Sequence, residues 1–144
     1  MKRIVFICVE NAGRSQMAEA FARLHGANHI EAFSAGSKPA AAVHPLAIVL
    51  MAERGCDISA RQPKSLDAFK ERKFDCAVTM GCGDDGPSLK AKSREDWDIP
   101  DPWSLDEAGY RRVRNLVEKK VQSLLARLLY HGSPADKARE PGKY

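Results

Sequence analysis

The sequence lacks several features that would define whole classes of protein. A membrane-spanning helix needs about 20 apolar residues, and the longest apolar stretches, Ile4 to Val9 and Ala40 to Ala52, are too short or too interrupted. There is no low-complexity tract, and the 44% hydrophobic and 29% charged residues are ordinary for a globular protein. We therefore expect one soluble domain over residues 1–131 and a flexible tail over 132–144.

A strong excess of one charge is also missing. The 23 Lys and Arg residues are interleaved with 19 Asp and Glu residues, which leaves a net charge of +4. This mixture favours a solvated surface over a nucleic-acid-binding face. Met1-Lys2-Arg3 and the apolar run after it superficially resemble a signal peptide, but no small-residue cleavage site follows. We expect a cytoplasmic monomer that binds neither nucleic acid nor a membrane.

Cysteine pairs with metal-ligand spacing are absent, as are paired histidines, so no metal site is expected. Because cytoplasmic thiols stay reduced, the four cysteines are examined for reactivity and not for a disulfide framework. Cys76 lies in a strand-like stretch and is predicted to be a buried, inert thiol. Cys56 follows a predicted helix end, which gives little indication of a redox role. Cys8 and Cys82 are therefore the two candidates for a reactive cysteine.

Strand and helix patterns alternate along the chain. The predicted strands are Ile4 to Cys8, Ile30 to Ser34, Phe74 to Met80 and Glu95 to Ile99. The predicted helices are Ser15 to His25, which stops at Gly26, Pro45 to Arg54 and Leu105 to Tyr130. A further short helix is predicted to be capped by Ser65 and to run to Phe69. This order predicts an α/β fold of three layers, with a four-stranded parallel sheet and helices on both faces. Ligand sites in such folds lie beyond the carboxyl ends of the strands, where Cys8, Cys82 and Asp101 would meet.

The segment from Cys8 to Ser15 has the pattern of an oxyanion-binding loop. A five-residue loop between a strand and a helix can turn its backbone N–H groups inward, and the helix N-terminus adds positive charge. The predicted oxyanion contacts come from the loop residues Val9, Glu10, Asn11, Ala12 and Gly13 and from the fork of the Arg14 guanidinium. These groups and the Ser15 hydroxyl would favour the thiolate of Cys8, the candidate nucleophile. The alternative is a buried thiol at a strand end, followed by a helix cap.

The sequence of this loop, CVENAGRSQMAEAF, resembles arsenate reductases built on the low-molecular-weight protein tyrosine phosphatase fold. The resemblance continues through Phe33-Ser34-Ala35-Gly36, Asp57-Ile58-Ser59, Lys64-Ser65-Leu66, Val78-Thr79-Met80-Gly81-Cys82-Gly83-Asp84, Trp97 and Asp101-Pro102, up to about Leu129. It implies that Cys8 attacks arsenate and that thiols then reduce the adduct to arsenite. Asp101 matches the family's proton donor, although an acidic residue before Pro102 is also a common turn residue.

The resemblance gives Cys82 the part of a second thiol, which attacks the adduct. Thioredoxin-coupled members carry a further cysteine where this chain has Gly86-Pro87, so a relay of three cysteines does not carry over intact. Either a Cys8–Cys82 disulfide forms, or a small thiol resolves the adduct. No bound cofactor is implied, only an external reductant: thioredoxin, glutaredoxin with glutathione, or mycoredoxin with mycothiol.

Two other functions share these residues. A phosphomonoester phosphatase would use Cys8, Arg14 and Asp101 without Cys82, and a non-catalytic protein could simply bind an oxyanion such as phosphate. The resemblance also matches Asn11, Glu19, Ser34 and Asp67 to positions that bind potassium in some thioredoxin-coupled members, but Glu19 and Asp67 are equally typical of helix-surface charges. No potassium site is therefore included in the prediction.

Overall fold

A computed structural model describes residues 1–81 and 89–129 of the chain. Its strands and α-helices are β1 (Lys2–Cys8), α1 (Arg14–Gly26), β2 (Ile30–Gly36), α2 (Pro45–Ala52), β3 (Lys73–Thr79), β4 (Lys90–Asp96) and α3 (Glu107–Leu129), with short 3-10 helices at Ala27–His29, Leu66–Phe69 and Pro102–Ser104. The predicted tail over 132–144 lies outside the described residues. Among the helices within those ranges, none is long and apolar enough to cross a membrane.

The four strands form one parallel sheet in the order β2-β1-β3-β4, as the sequence predicts. β1 is central and apolar on both faces, with Ile4 to Ile7 all fully buried. Because all strands run in one direction, their carboxyl ends share one edge, where Cys8 is in register with Gly36 and Ile7 with Thr79. Cys8 therefore stands at the middle of the edge where α/β folds place their ligands.

Helical segments cover both faces of the sheet, which confirms the layered α/β prediction. On one face, a single apolar cluster joins Ile4 and Phe6 of β1 to the buried residues of all three α-helices. On the other face, Val5 and Ile7 pack with Leu66 and Phe69 of a 3-10 helix and with neighbouring apolar residues. The Ser65 hydroxyl caps that 3-10 helix by accepting a hydrogen bond from the Asp67 amide, as expected.

One local prediction was wrong. The fourth strand was expected at Glu95 to Ile99, but it covers Lys90–Asp96. This edge strand is mostly exposed and charged, so it shows no apolar alternation, whereas the buried Trp97 and Ile99 that suggested a strand follow its end. α1 ends at Gly26, as predicted, although Gly26 itself is not in a left-handed conformation. Ala27 adopts the positive φ of 45°, and Gly26 is required because a Cβ atom there would lie 2.5 Å from the Ile30 side chain.

Candidate active site

The loop between β1 and α1 is held open by hydrogen bonds on its outer side. The carbonyl groups of Val9, Glu10 and Ala12 accept from the amides of Lys38, Ala40 and His44 at 2.8–2.9 Å. In a planar trans peptide the C=O group and the following N–H group point in opposite directions. The amides of the residues that follow these three carbonyls, Glu10, Asn11 and Gly13, are consequently directed towards the interior of the loop, where an oxyanion would bind.

Asn11 locks the conformation of the loop. It is fully buried and has a left-handed φ of 52°, which asparagine tolerates better than most residues. Its side-chain oxygen accepts hydrogen bonds from the Lys64 amide at 2.8 Å and the Gln16 side chain at 3.0 Å. The Asn11 side chain therefore holds the loop in shape, as expected for a residue that ties the loop, and only its backbone amide is left for the predicted oxyanion contact.

Cys8 and Ser15 are in direct contact at the base of the loop. The Cys8 sulfur is 2.8 Å from the Ser15 hydroxyl oxygen, and both residues are buried. The side-chain Nδ2 of Asn11 donates to the same hydroxyl oxygen at 2.7 Å. Since that oxygen already accepts from Asn11, the hydroxyl hydrogen is available to the sulfur. This geometry suits a thiolate, which a donated hydrogen bond stabilises.

Arg14 closes the loop and connects it to the chain beyond β4. Its side chain is only 10% exposed, and Nη1 donates to the Ile99 carbonyl at 3.0 Å. Nη2 lies 3.9 Å from a carboxylate oxygen of Asp101. The guanidinium is thus fixed at one side of the cleft while part of its fork still faces the carboxylate.

Asp101 faces the loop from the opposite wall of a cleft of about 330 Å³. Its side chain is 62% exposed, and its other carboxylate oxygen accepts from the Trp103 amide at 3.1 Å. The cleft is lined by Cys8, Val9, Glu10, Ala12, Gly13, Arg14, His44, Gly81, Asp101, Pro102 and Trp103. The Cys8 thiol, the Arg14 guanidinium and the Asp101 carboxylate therefore line one cleft, at the edge of the sheet where the parallel strands end. Cys82 follows the lining residue Gly81 in sequence but lies outside the described residues.

The sequence analysis did not single out His44 or Tyr110, which lie at or beside this cleft. The His44 side chain is only 12% exposed and lies against the Trp103 indole, with 4.3 Å between the ring centroids. The Tyr110 hydroxyl of α3 is 3.4 Å from Nδ1 of His44. Burial, together with the charges of Asp101 and Cys8, raises the pKa of Tyr110, so this hydroxyl stays neutral. Pro45 was interpreted only as a helix start, although it places His44 at the cap of α2.

Glu19, one of the residues matched to a potassium site, is surrounded by side-chain cations. It is 1% exposed, accepts from the Ser34 hydroxyl at 2.6 Å, and pairs with Arg23 at 2.9 Å, with Arg61, and with Lys64 at 3.8 Å. Burial and the neighbouring arginines lower the pKa of Lys64, a sign of crowded positive charge. Asp67 instead pairs with Lys70 at the surface. This donor set does not fit a further cation.

The two remaining described cysteines lie away from the cleft. Cys76 is fully buried in β3, and Cys56 is 9% exposed after α2. Burial raises the pKa of both thiols, which makes them poor nucleophiles at neutral pH. Within residues 1–81 and 89–129 no three His, Cys, Asp or Glu side chains are grouped closely enough to hold a metal ion.

Comparison with known proteins gives a consistent result. The profile of the low molecular weight phosphotyrosine protein phosphatase family matches residues 3–133. A glutaredoxin arsenate reductase of Synechocystis is 36% identical over 131 residues, which cover 89% of this chain and 99% of that protein. The solved structure of an arsenate reductase in the phosphate binding state has a TM-score of 0.81, at 36% identity over 88% of this chain and 98% of that one. An arginine phosphatase from Geobacillus stearothermophilus, with a TM-score of 0.75, 22% identity and coverage of 92% of this chain and 99% of that one, shares the fold.

Proposed function

This chain belongs to the low molecular weight phosphotyrosine protein phosphatase family, and we propose that within it the protein is an arsenate reductase. The observation that carries the proposal is the convergence of the Cys8 sulfur, the Arg14 guanidinium and the Asp101 carboxylate on one cleft. Relatives at 36% identity that are named arsenate reductases favour arsenate over a phosphate ester as substrate. The cytoplasm, where thiols are kept reduced, suits this chemistry.

In the first step, the loop amides and Arg14 bind the arsenate oxygens, and the Cys8 thiolate attacks arsenic. A new S–As bond forms and one As–O bond breaks, and Asp101 in its protonated form would supply the proton with which that oxygen leaves as water. Ser15 stabilises the thiolate before attack, and Arg14 compensates the negative charge of the oxyanion. The product of this step is a thio-arsenate adduct on Cys8.

In the second step, another thiolate attacks the Cys8 sulfur. An S–S bond forms, the S–As bond breaks, and its electron pair remains on arsenic, which leaves as arsenite. Two thiols are thereby oxidised to one disulfide while arsenic gains two electrons. Cys82, the residue after Gly81 at the cleft, is the proposed internal thiol, and a small thiol such as glutathione or mycothiol is the alternative. An external reductant then restores the free thiols, and the name of the Synechocystis relative favours glutaredoxin.

The experiment that tests this function is an arsenite assay. Purified protein is supplied with arsenate and, separately, with thioredoxin, with glutaredoxin plus glutathione, and with mycoredoxin plus mycothiol. We expect arsenite with at least one donor, and none from a Cys8→Ser variant. Hydrolysis of aryl phosphate without arsenite formation from any donor would instead show a phosphatase, the alternative that uses the same Cys8, Arg14 and Asp101.

A further inference from the structure

His44 is the residue at which three parts of the active site meet. Its backbone amide donates to the Ala12 carbonyl at 2.9 Å, and its Nε2 is 3.6 Å from a Glu10 carboxylate oxygen, so it is tied to the oxyanion loop. Its Nδ1 faces the Tyr110 hydroxyl of α3 at 3.4 Å. Its ring packs against Trp103, in the segment that carries Asp101.

The Trp103 contact bears directly on Asp101. The Trp103 amide donates to an Asp101 carboxylate oxygen at 3.1 Å, so the position of residue 103 and the orientation of that carboxylate are coupled. The Trp103 side chain is 67% exposed and therefore has little packing apart from the imidazole. A large exposed ring without such a contact would sample several rotamers. The His44 ring supplies the surface that restrains it.

The room for this arrangement comes from Gly13. A Cβ atom at Gly13 would lie 3.0 Å from the Tyr110 hydroxyl and 3.2 Å from Nδ1 of His44. The imidazole is thus inserted closely between the loop and α3. An aliphatic side chain of similar size at position 44 would fill the space without offering a flat ring to Trp103.

We infer that His44 is a positioning residue, which holds Trp103 and, through it, the Asp101 carboxylate over the oxyanion loop. This inference deepens the proposed function and rests on it, since it concerns the proton donor of the arsenate reaction. Glu10, Asp101, Arg14, Cys8 and Tyr110 are the charged or titratable groups around the ring, and none of them replaces its tilted ring contact with Trp103.

The kinetic test is a double-mutant cycle with Asp101. We expect His44→Ala to lower kcat for arsenate reduction about 10- to 100-fold, the loss that misplacement of a catalytic group causes, with little change in KM. His44→Phe, which keeps a flat ring, should recover most of this loss. In an Asp101→Asn background His44→Ala should cause no further loss, because the residue acts through Asp101. His29→Ala, on the exposed 3-10 helix at the opposite edge of the sheet, is the matched control and should retain full activity.

A second measurement does not depend on turnover. The chain has two tryptophans, so ¹⁵N relaxation resolves two indole N–H groups. In His44→Ala the order parameter of the Trp103 indole N–H should fall clearly below its wild-type value, because the ring loses the contact that restrains it. The Trp97 indole, which is buried and donates to Glu95 at 2.9 Å, should not change.

Three results would overturn the inference. The first is a double variant whose loss of kcat is the product of the losses of His44→Ala and Asp101→Asn. The second is an equal loss of kcat in His44→Ala and His44→Phe, and the third is an unchanged order parameter of the Trp103 indole N–H. If the wild type reduces no arsenate, the proposed function fails. In that case the order parameter of the Trp103 indole N–H still tests whether His44 restrains Trp103. The same double-mutant cycle, measured as hydrolysis of phosphotyrosine, then tests whether His44 acts through Asp101.

Discussion

Gly81 packs directly against the guanidinium of Arg14. A Cβ atom built on Gly81 would lie 2.9 Å from Nη1 of Arg14, the nitrogen that donates to the Ile99 carbonyl. Gly81 also has a left-handed φ of 78°. Position 81 therefore favours glycine for two reasons. Its backbone has a positive φ, and a Cβ atom would take the space of the Arg14 side chain.

Gly55 allows these two reasons to be separated. It has nearly the same φ, 77°, but nothing lies within 4 Å of the Cβ position. We expect Gly81→Ala and Gly55→Ala to lower the free energy of unfolding by a similar amount, about 1–2 kcal/mol. Only Gly81→Ala should lower turnover, by about tenfold or more, because it displaces Arg14. Urea unfolding and arsenite formation measured on both variants check this, and equal turnover in the two would contradict the role of Gly81.

Arg14→Lys tests the planar fork. Lysine keeps the charge but cannot bind the Ile99 carbonyl and two oxyanion oxygens with one rigid group. Turnover should fall at least tenfold, which corresponds to about 1.4 kcal/mol in the barrier. Arg112→Lys, an exposed substitution on α3, is the control and should leave turnover unchanged. Near-native turnover in Arg14→Lys would show that the fork is not required for oxyanion binding.

Alkylation of the native protein should distinguish the thiols by their environments. Burial raises the pKa of Cys56 and Cys76, so both should react slowly with iodoacetamide at pH 7. Cys8 should react faster, and phosphate or arsenate should protect it because either anion occupies the loop above the sulfur. Peptide mapping by mass spectrometry gives the rate at each site. Equal labelling of Cys8 with and without the anions would remove it as the nucleophile.

Cys82→Ser separates a reductase from a phosphatase. In a phosphatase, water hydrolyses the cysteine adduct, so Cys82→Ser should leave any hydrolysis of p-nitrophenyl phosphate about unchanged. In a reductase that uses an internal thiol, the same change should strongly reduce repeated arsenate turnover. With stoichiometric arsenate and no reductant, the wild type should form a Cys8–Cys82 disulfide, detectable after free thiols are blocked. Normal reduction by Cys82→Ser with glutathione or mycothiol would show that a small thiol resolves the adduct.

The parts of the molecule that follow local rules could be predicted from the sequence. The sequence shows the apolar run of β1, the helix start near Arg14 and strands that alternate with helices. Together these features predict the parallel sheet and place Cys8 at its edge. The position of β4 could not be predicted, because an exposed edge strand has no buried face to impose a pattern on its residues. His44 was missed for a different reason: its role depends on contacts with Trp103 and Tyr110, which are far away in sequence and adjacent only after folding.

The long-range contact of Asn11 affects when the active-site loop forms during synthesis and folding. Its side-chain oxygen is held by the amide of Lys64, 53 residues later in the chain, and every strand pairing in the parallel sheet likewise joins distant segments. Such long-range pairings form slowly compared with local helices. During synthesis, Cys8 emerges long before Lys64 is available to fix the loop. A nascent or partly folded chain therefore lacks the shaped loop beside Cys8, and the site proposed for arsenate is assembled only when the native topology is complete.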